Sequence, residues 1–235
     1  MGGLGVAATG QHSTLERNLR KPDLSEPAAL RLNTFTRRRT TDMSDLLHDL
    51  ATLRSMVTDF NDFVRSDTVF WQLSDAGPFR KRFPKLTIAG LLFCQHKLTV
   101  FQEKIPTEKQ AELQQMQTQV DRYLYSWHAN VERKALREIG GRLHSWEWYI
   151  SDCREDSGDC ATHYATEVYT RVYIHFLLQL FSELPAADTA RAQVEAADAE
   201  LRTVFHPGSF VWEYALSTAF PTEEYWFLYG RPGDT

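Results

Sequence analysis

The chain has 235 residues, a mass of 27.1 kDa, an apolar fraction of 43% and a charged fraction of 24%, with only 12 Gly and 9 Pro. This composition excludes a collagen-like, low-complexity or wholly disordered chain and suits one large domain or two small ones. No apolar run approaches the roughly 20 residues a membrane span needs, and three cysteines are too few, and odd in number, for a disulfide framework.

Charge is unevenly placed. Residues 1–42 carry seven Lys/Arg against four Asp/Glu, a net of +3, so the rest of the chain carries -8 of the total -5. A body this acidic is a poor general binder of nucleic acid or anionic membrane. Residues 1–42 show no apolar period and predict a disordered extension; a start at Met43 is an alternative reading. Its Arg37-Arg38-Arg39-Thr40-Thr41 run reads as a solvated tail before a basic arm. Met1–Gly10 lacks the basic lead of a secretory signal, so a cytoplasmic setting with reduced Cys94, Cys153 and Cys160 is expected.

A strong pattern begins at Ser44. Leu46, Leu50, Leu53, Val57, Phe60 and Val64 form one helical stripe and predict a helix over 44–66. A connection follows over 67–85, with a short helical piece at Val69–Leu73 and a breaker at Ala76-Gly77-Pro78. Arg80, Lys81, Arg82 and Lys85 then interleave with Phe79 and Phe83. Such a loop suits phosphate or RNA contact; the simpler reading is that the rings plug into the core and the cations stay wet.

A second helix is predicted over 86–103, with Ile88, Leu91, Leu92, Gln95 and Leu98 in its stripe; Pro106 follows its end. Thr107-Glu108-Lys109-Gln110 matches a capping box. From it the helical pattern runs to Ser151, about 45 residues or about 67 Å. Gly140-Gly141 and a phase shift between Val131 and Leu136 predict a bend or break near 140. Ser151–Cys160 is polar and reads as a loop. Its Cys153-x6-Cys160 spacing fits neither the usual zinc pairs nor the EF-hand, although an oxidising compartment would let the two cysteines bridge.

A helix over 161–184 carries Tyr164, Val168, Val172, Phe176 and Leu180. Asp188 is placed to cap another over 189–205, which His206-Pro207-Gly208 stops. Ser209–Thr235 is dense in aromatic rings and reads as a strap docked on the helices, with a short helix near 222–229. The fold class is therefore all-α: an antiparallel bundle of about five main helices, one of them long, closed by the strap.

The chemistry is sparse. Gly2-Gly3-Leu4-Gly5 has no strand before it, and neither G-x-S-x-G nor H-E-x-x-H occurs, so no cofactor is expected. His96, His128 and His175 border apolar stripes on successive helices and are the candidate metal ligands; Glu132, Glu147 or Glu167 would complete a set. Trp148 lies out of phase with the core positions Trp127 and Trp146, so it is covered by the strap or faces a partner. Trp212, Tyr225 and Trp226 are further candidate partner contacts. The leading expectation is a non-enzymatic helical protein acting by contact with a protein partner or by self-association. A metal-dependent helical enzyme is the alternative. A nucleic-acid-associated factor using Arg80, Lys81, Arg82 and Lys85 is the less favoured third.

Overall fold

The computed structural model of the protein describes residues 43–74, 83–155, 157–181 and 185–233. The expected extension over 1–42 and the basic positions Arg80, Lys81 and Arg82 lie outside these residues. The described chain is mostly helical with one small two-stranded sheet.

Helix α1 (Met43–Arg65) follows its stripe. Leu46, Leu50, Leu53, Phe60 and Val64 are buried, joined by Met56 and Phe63 from the adjoining row. The short helical piece expected at Val69–Leu73 does not form. Trp71 and Leu86 exchange backbone hydrogen bonds of 2.9 and 2.8 Å. The Asp59 carboxylate accepts from the Trp71 indole and from both the amide and the hydroxyl of Ser74, at 2.7–3.3 Å. One buried acid thus gathers two side-chain donors and a backbone amide that a helical turn would have used internally.

Helix α2 (Ile88–Val100) is capped by Thr87, whose hydroxyl accepts from the Gly90 amide at 2.9 Å. Beyond a 3-10 turn, helix α3 spans Thr107–Ser126 and helix α4 spans His128–Glu155. The expected capping box does not form: the chain is already helical at Thr107, and Gln110 reaches back to the carbonyl of Ile105 instead.

The long helix breaks at Trp127, not at Gly140-Gly141. Trp127 leaves helical geometry at φ -111°, ψ 22°. Its indole donates to Asn61 at 3.2 Å, the Arg65 guanidinium lies 5.0 Å from its ring centre, and Asn130 donates to the Val64 carbonyl. Contacts with α1 therefore fix the corner. Gly140 and Gly141 lie on the exposed side of α4, where an added Cβ meets nothing within 4 Å. There glycine costs only propensity, and the helix runs through.

The loop expected over Ser151–Cys160 is also helical on both sides of Asp156: helix α5 (Ser157–Leu180) begins two residues after α4 ends. Cys153 and Cys160 are joined in a disulfide across this corner, with Cα atoms 5.0 Å apart, instead of being reduced. Cys94 is buried and unpaired, a small core residue as expected, and burial pushes its thiol far above the usual range.

Helix α6 (Asp188–Arg202) begins at Asp188, with Ala187 in the capping position. The chain then forms two strands that the sequence reading lacked, β1 (Phe205–Phe210) and β2 (Tyr229–Pro232), paired antiparallel with a bulge between Pro207 and Phe210. Gly230 has φ +146°, and a Cβ there would lie 2.2 Å from the His206 carbonyl, so only glycine fits. Between the strands, the strap holds 3-10 turns at Tyr214–Ala219 and Trp226–Leu228 in place of the short helix expected near 222–229.

Helix α4 packs against α5, α6, α2, α1 and α3. Three charged residues on its inner side are almost fully buried: Lys134 at 2%, Glu138 at 1% and Arg142 at 6% exposure. Arg142 donates to one Glu138 oxygen through Nε at 2.8 Å and Nη2 at 2.7 Å. The other Glu138 oxygen accepts from the Ala89 amide in the first turn of α2 at 3.3 Å. Lys134 donates to the carbonyls of Ser66 and Thr68 at 2.7 and 2.6 Å, where α1 has ended.

Two stability measurements check this account. Gly140→Ala with Gly141→Ala raises the unfolding free energy in urea by about 1–2 kcal/mol, because both sites are open, helical positions; a bend at 140 would forbid the gain. Glu138→Ala lowers it by about 3–5 kcal/mol, because Arg142 is left buried without its partner. The exposed Glu147→Ala changes it by less than about 0.5 kcal/mol.

Candidate partner-binding face

Helix α4 sorts its side chains by rotation. Ala135, Ile139, Leu143, Trp146, Tyr149 and Ile150 point into the core. Two residues advance a helix by about 200°, so Trp148 lies opposite the fully buried Trp146. Trp148 is 66% exposed, and the strap does not cover it. Gly140, Gly141, His144 and Ser145 share this outer side and are exposed. The face therefore combines one large ring with two positions at which the helix backbone itself is accessible.

The other three candidate contacts are engaged within the chain. Trp212 stacks on Tyr169 with ring centres 4.1 Å apart, and its indole donates to the Ala165 carbonyl at 2.7 Å. Tyr225 is buried against His175 and Phe220. Trp226 lies under the Arg202 guanidinium, 3.6 Å from the ring centre, and meets Phe205 edge-on. The ring density of the strap serves its docking on α2, α5 and α6. Rings of this size bury about 150–250 Å² each.

The candidate metal ligands do not converge. His96 is 2.6 Å from the Ala219 carbonyl, to which its Nε2 donates, and packs against Phe176 and Phe220. His175 is also beneath the strap, beside Phe176 and Tyr225. His128 is exposed at the first residue of α4, beside Tyr125 and Ser126. Among the described residues, no three His, Cys, Asp or Glu side chains come together as a metal set. Of the basic loop, Lys85 is described and exposed, and Phe83 is half-buried and stacked on His48 at 5.3 Å.

A polar cluster escaped the sequence reading. Arg171 on α5 makes a two-pronged pair with Asp198 on α6, both bonds 2.8 Å, and lies 4.5 Å from the Phe227 ring centre. One turn later, His175 Nε2 stands 3.6 Å from a Glu224 oxygen, too far for a hydrogen bond. Burial first, and then the Arg171 charge, lower its pKa to about 4, and Glu224 only partly restores it. The signal was available: Arg171 and His175 are four apart on the border of the stripe Val168–Val172–Phe176.

No family model, curated protein or solved structure matches the chain. Among the described residues, no helix is long and apolar enough to cross a membrane.

The His175 environment sets a pH dependence. Unfolded, a histidine takes up its proton near pH 6.5; in the fold, His175 does so only near 4. Its neutral form is stabilising above about pH 6.5, and that contribution is lost as the pH falls toward 4, because only the unfolded state gains the proton. Urea midpoints measured from pH 7 to pH 4 fall less steeply in His175→Gln than in the wild type. Equal slopes would contradict the assignment.

Proposed function

We propose that the protein is a non-enzymatic helical module, its helices arranged as an antiparallel bundle, that works by self-association through the outer face of α4. The observation that carries this reading is Trp148, 66% exposed on a helix whose other tryptophan, Trp146, is fully buried. Tryptophan is the residue type most enriched at the energetic centres of protein interfaces. A ring left in water at the middle of a well-ordered helix is a solvation cost that folding alone does not require. Gly140, Gly141 and Ser145, about one to two turns from Trp148, allow a second helix to approach closely. A cytoplasmic setting belongs to the same reading, with the Cys153–Cys160 bond as the oxidised form of that pair.

Light scattering coupled to size-exclusion chromatography tests the proposal. The wild type runs as a particle larger than 27.1 kDa, and Trp148→Ala weakens its association by tenfold or more, the change expected of a central interface residue worth about 2 kcal/mol. A wild type that stays at the monomer mass at every concentration tested, or an assembly indifferent to Trp148→Ala, would defeat it.

A further inference from the structure

A cleft of about 440 Å³ opens between the early turns of α5 and the β-hairpin, on residues that the proposed interface does not use. Ligand sites run from about 300 to 1,000 Å³, so it can hold a small molecule. On the helix side Ala161 and Ala165 leave room where larger side chains would close it. Its base is closed by the buried Phe210 and Tyr164, the Tyr164 hydroxyl donating to the Phe227 carbonyl at 2.6 Å.

The polar side of the cleft is one-sided in charge. Arg231 lines it, and among the described residues no carboxylate does, although residues 43–235 carry a net charge of -8. Arg231 is exposed and makes no ion pair among the described residues. It stands opposite His206 in the register, and His206 is anchored by a 3.2 Å contact of its Nε2 with the Gly233 carbonyl. Beside them the bulge leaves Gly208 and Ser209 without opposing residues, so a hydroxyl and a stretch of backbone border the same space. Gly230, which no other residue can replace, keeps the strands close enough to hold this geometry.

We propose that this cleft binds a small amphipathic monocarboxylate, its carboxylate on Arg231 beside Ser209 and its apolar body against Ala161, Ala165 and Phe210. Guanidinium is matched to carboxylate by its planar fork of donors. The apolar base distinguishes this site from a generic anion contact, which needs charge alone.

Titration of the full-length, 15N-labelled chain with 4-phenylbutyrate, followed by amide NMR, tests the proposal. Saturable shifts are expected at Gly208, Ser209 and Gly230. Inorganic phosphate, which has charge but no apolar body, binds at least tenfold more weakly. Arg231→Gln raises the dissociation constant about tenfold, equivalent to about 1.4 kcal/mol, and Ala165→Leu, which fills the cleft from an exposed helical position, abolishes the shifts. Because neither side chain is in the core, both variants keep the wild-type spectrum elsewhere. Shifts that do not saturate, phosphate binding as tight as phenylbutyrate, or an affinity unchanged in both variants would each overturn the assignment.

Discussion

The arrangement of α4 rests on charges that have been taken out of water. Lys134, Glu138 and Arg142 follow one another at intervals of four residues on its inner side, and each binds a different neighbour. Lys134 donates to carbonyls just beyond the end of α1. Glu138 accepts from an amide in the first turn of α2, where the helix dipole favours a negative group. Arg142 closes on Glu138 and lies 4.3 Å from the ring centre of Tyr173 on α5. Desolvating an ion pair costs as much as its attraction returns unless every donor and acceptor finds a partner. Such a pair tolerates few arrangements, which suits a residue set that must fix the register of several helices at once. Lys134 makes no ion pair among the described residues; burial lowers its pKa and the Asp67 charge only partly opposes this, while two carbonyls accept from its ammonium and the Phe63 ring centre lies 4.5 Å away.

The same residues explain what the sequence concealed. The apolar stripe of the long helical pattern shifts phase between Val131 and Leu136, and with Gly140-Gly141 close by, a break there was the natural reading. The stripe is in fact continuous once Lys134, Glu138 and Arg142 are counted as inward positions, but a rule that places charge in solvent cannot count them. The true corner at Trp127 has no glycine or proline to mark it. It is set by Asn61, Val64 and Arg65, more than 60 positions away in the chain, so a local reading has nothing to detect. The α4–α5 corner and the β-hairpin were missed for a related reason. Polar Ser157–Cys160 lacks an apolar period of its own, yet it forms the first turn of α5. His206-Pro207-Gly208, a strong stop signal, ends α6 but also enters a strand. By contrast, α1, α2 and α5 were legible because their apolar spacing is regular enough to survive a few buried polar residues such as Asp59 and Arg171.

For the candidate site, phase was the informative quantity and residue type was not. Trp146 and Trp148 have the same chemistry, and their two-residue spacing alone puts one in the core and the other in water. Trp212, Tyr225 and Trp226 sit in the strap, where the short helix expected near 222–229 does not form, and they are covered by packing onto Tyr169, His175 and Arg202. For His96 and His175, neighbours on the strap decide the chemistry: a carbonyl for His96, and rings with a distant carboxylate for His175.

Set against this pinned inner side, the outer side of α4 is costly in two independent ways. Two consecutive glycines reduce helix stability by about 1 kcal/mol each relative to alanine, although no neighbour requires their small size. Trp148 keeps most of its surface in water although an uncharged small residue would serve the fold as well. Both features fall on one face of one helix, and neither assists the packing of the chain on itself. A second helix laid along that face would use both, burying the ring and approaching the backbone where side chains are missing. In the association proposed above, the inner charges would hold that face in a fixed orientation beforehand, which limits the ordering that association requires.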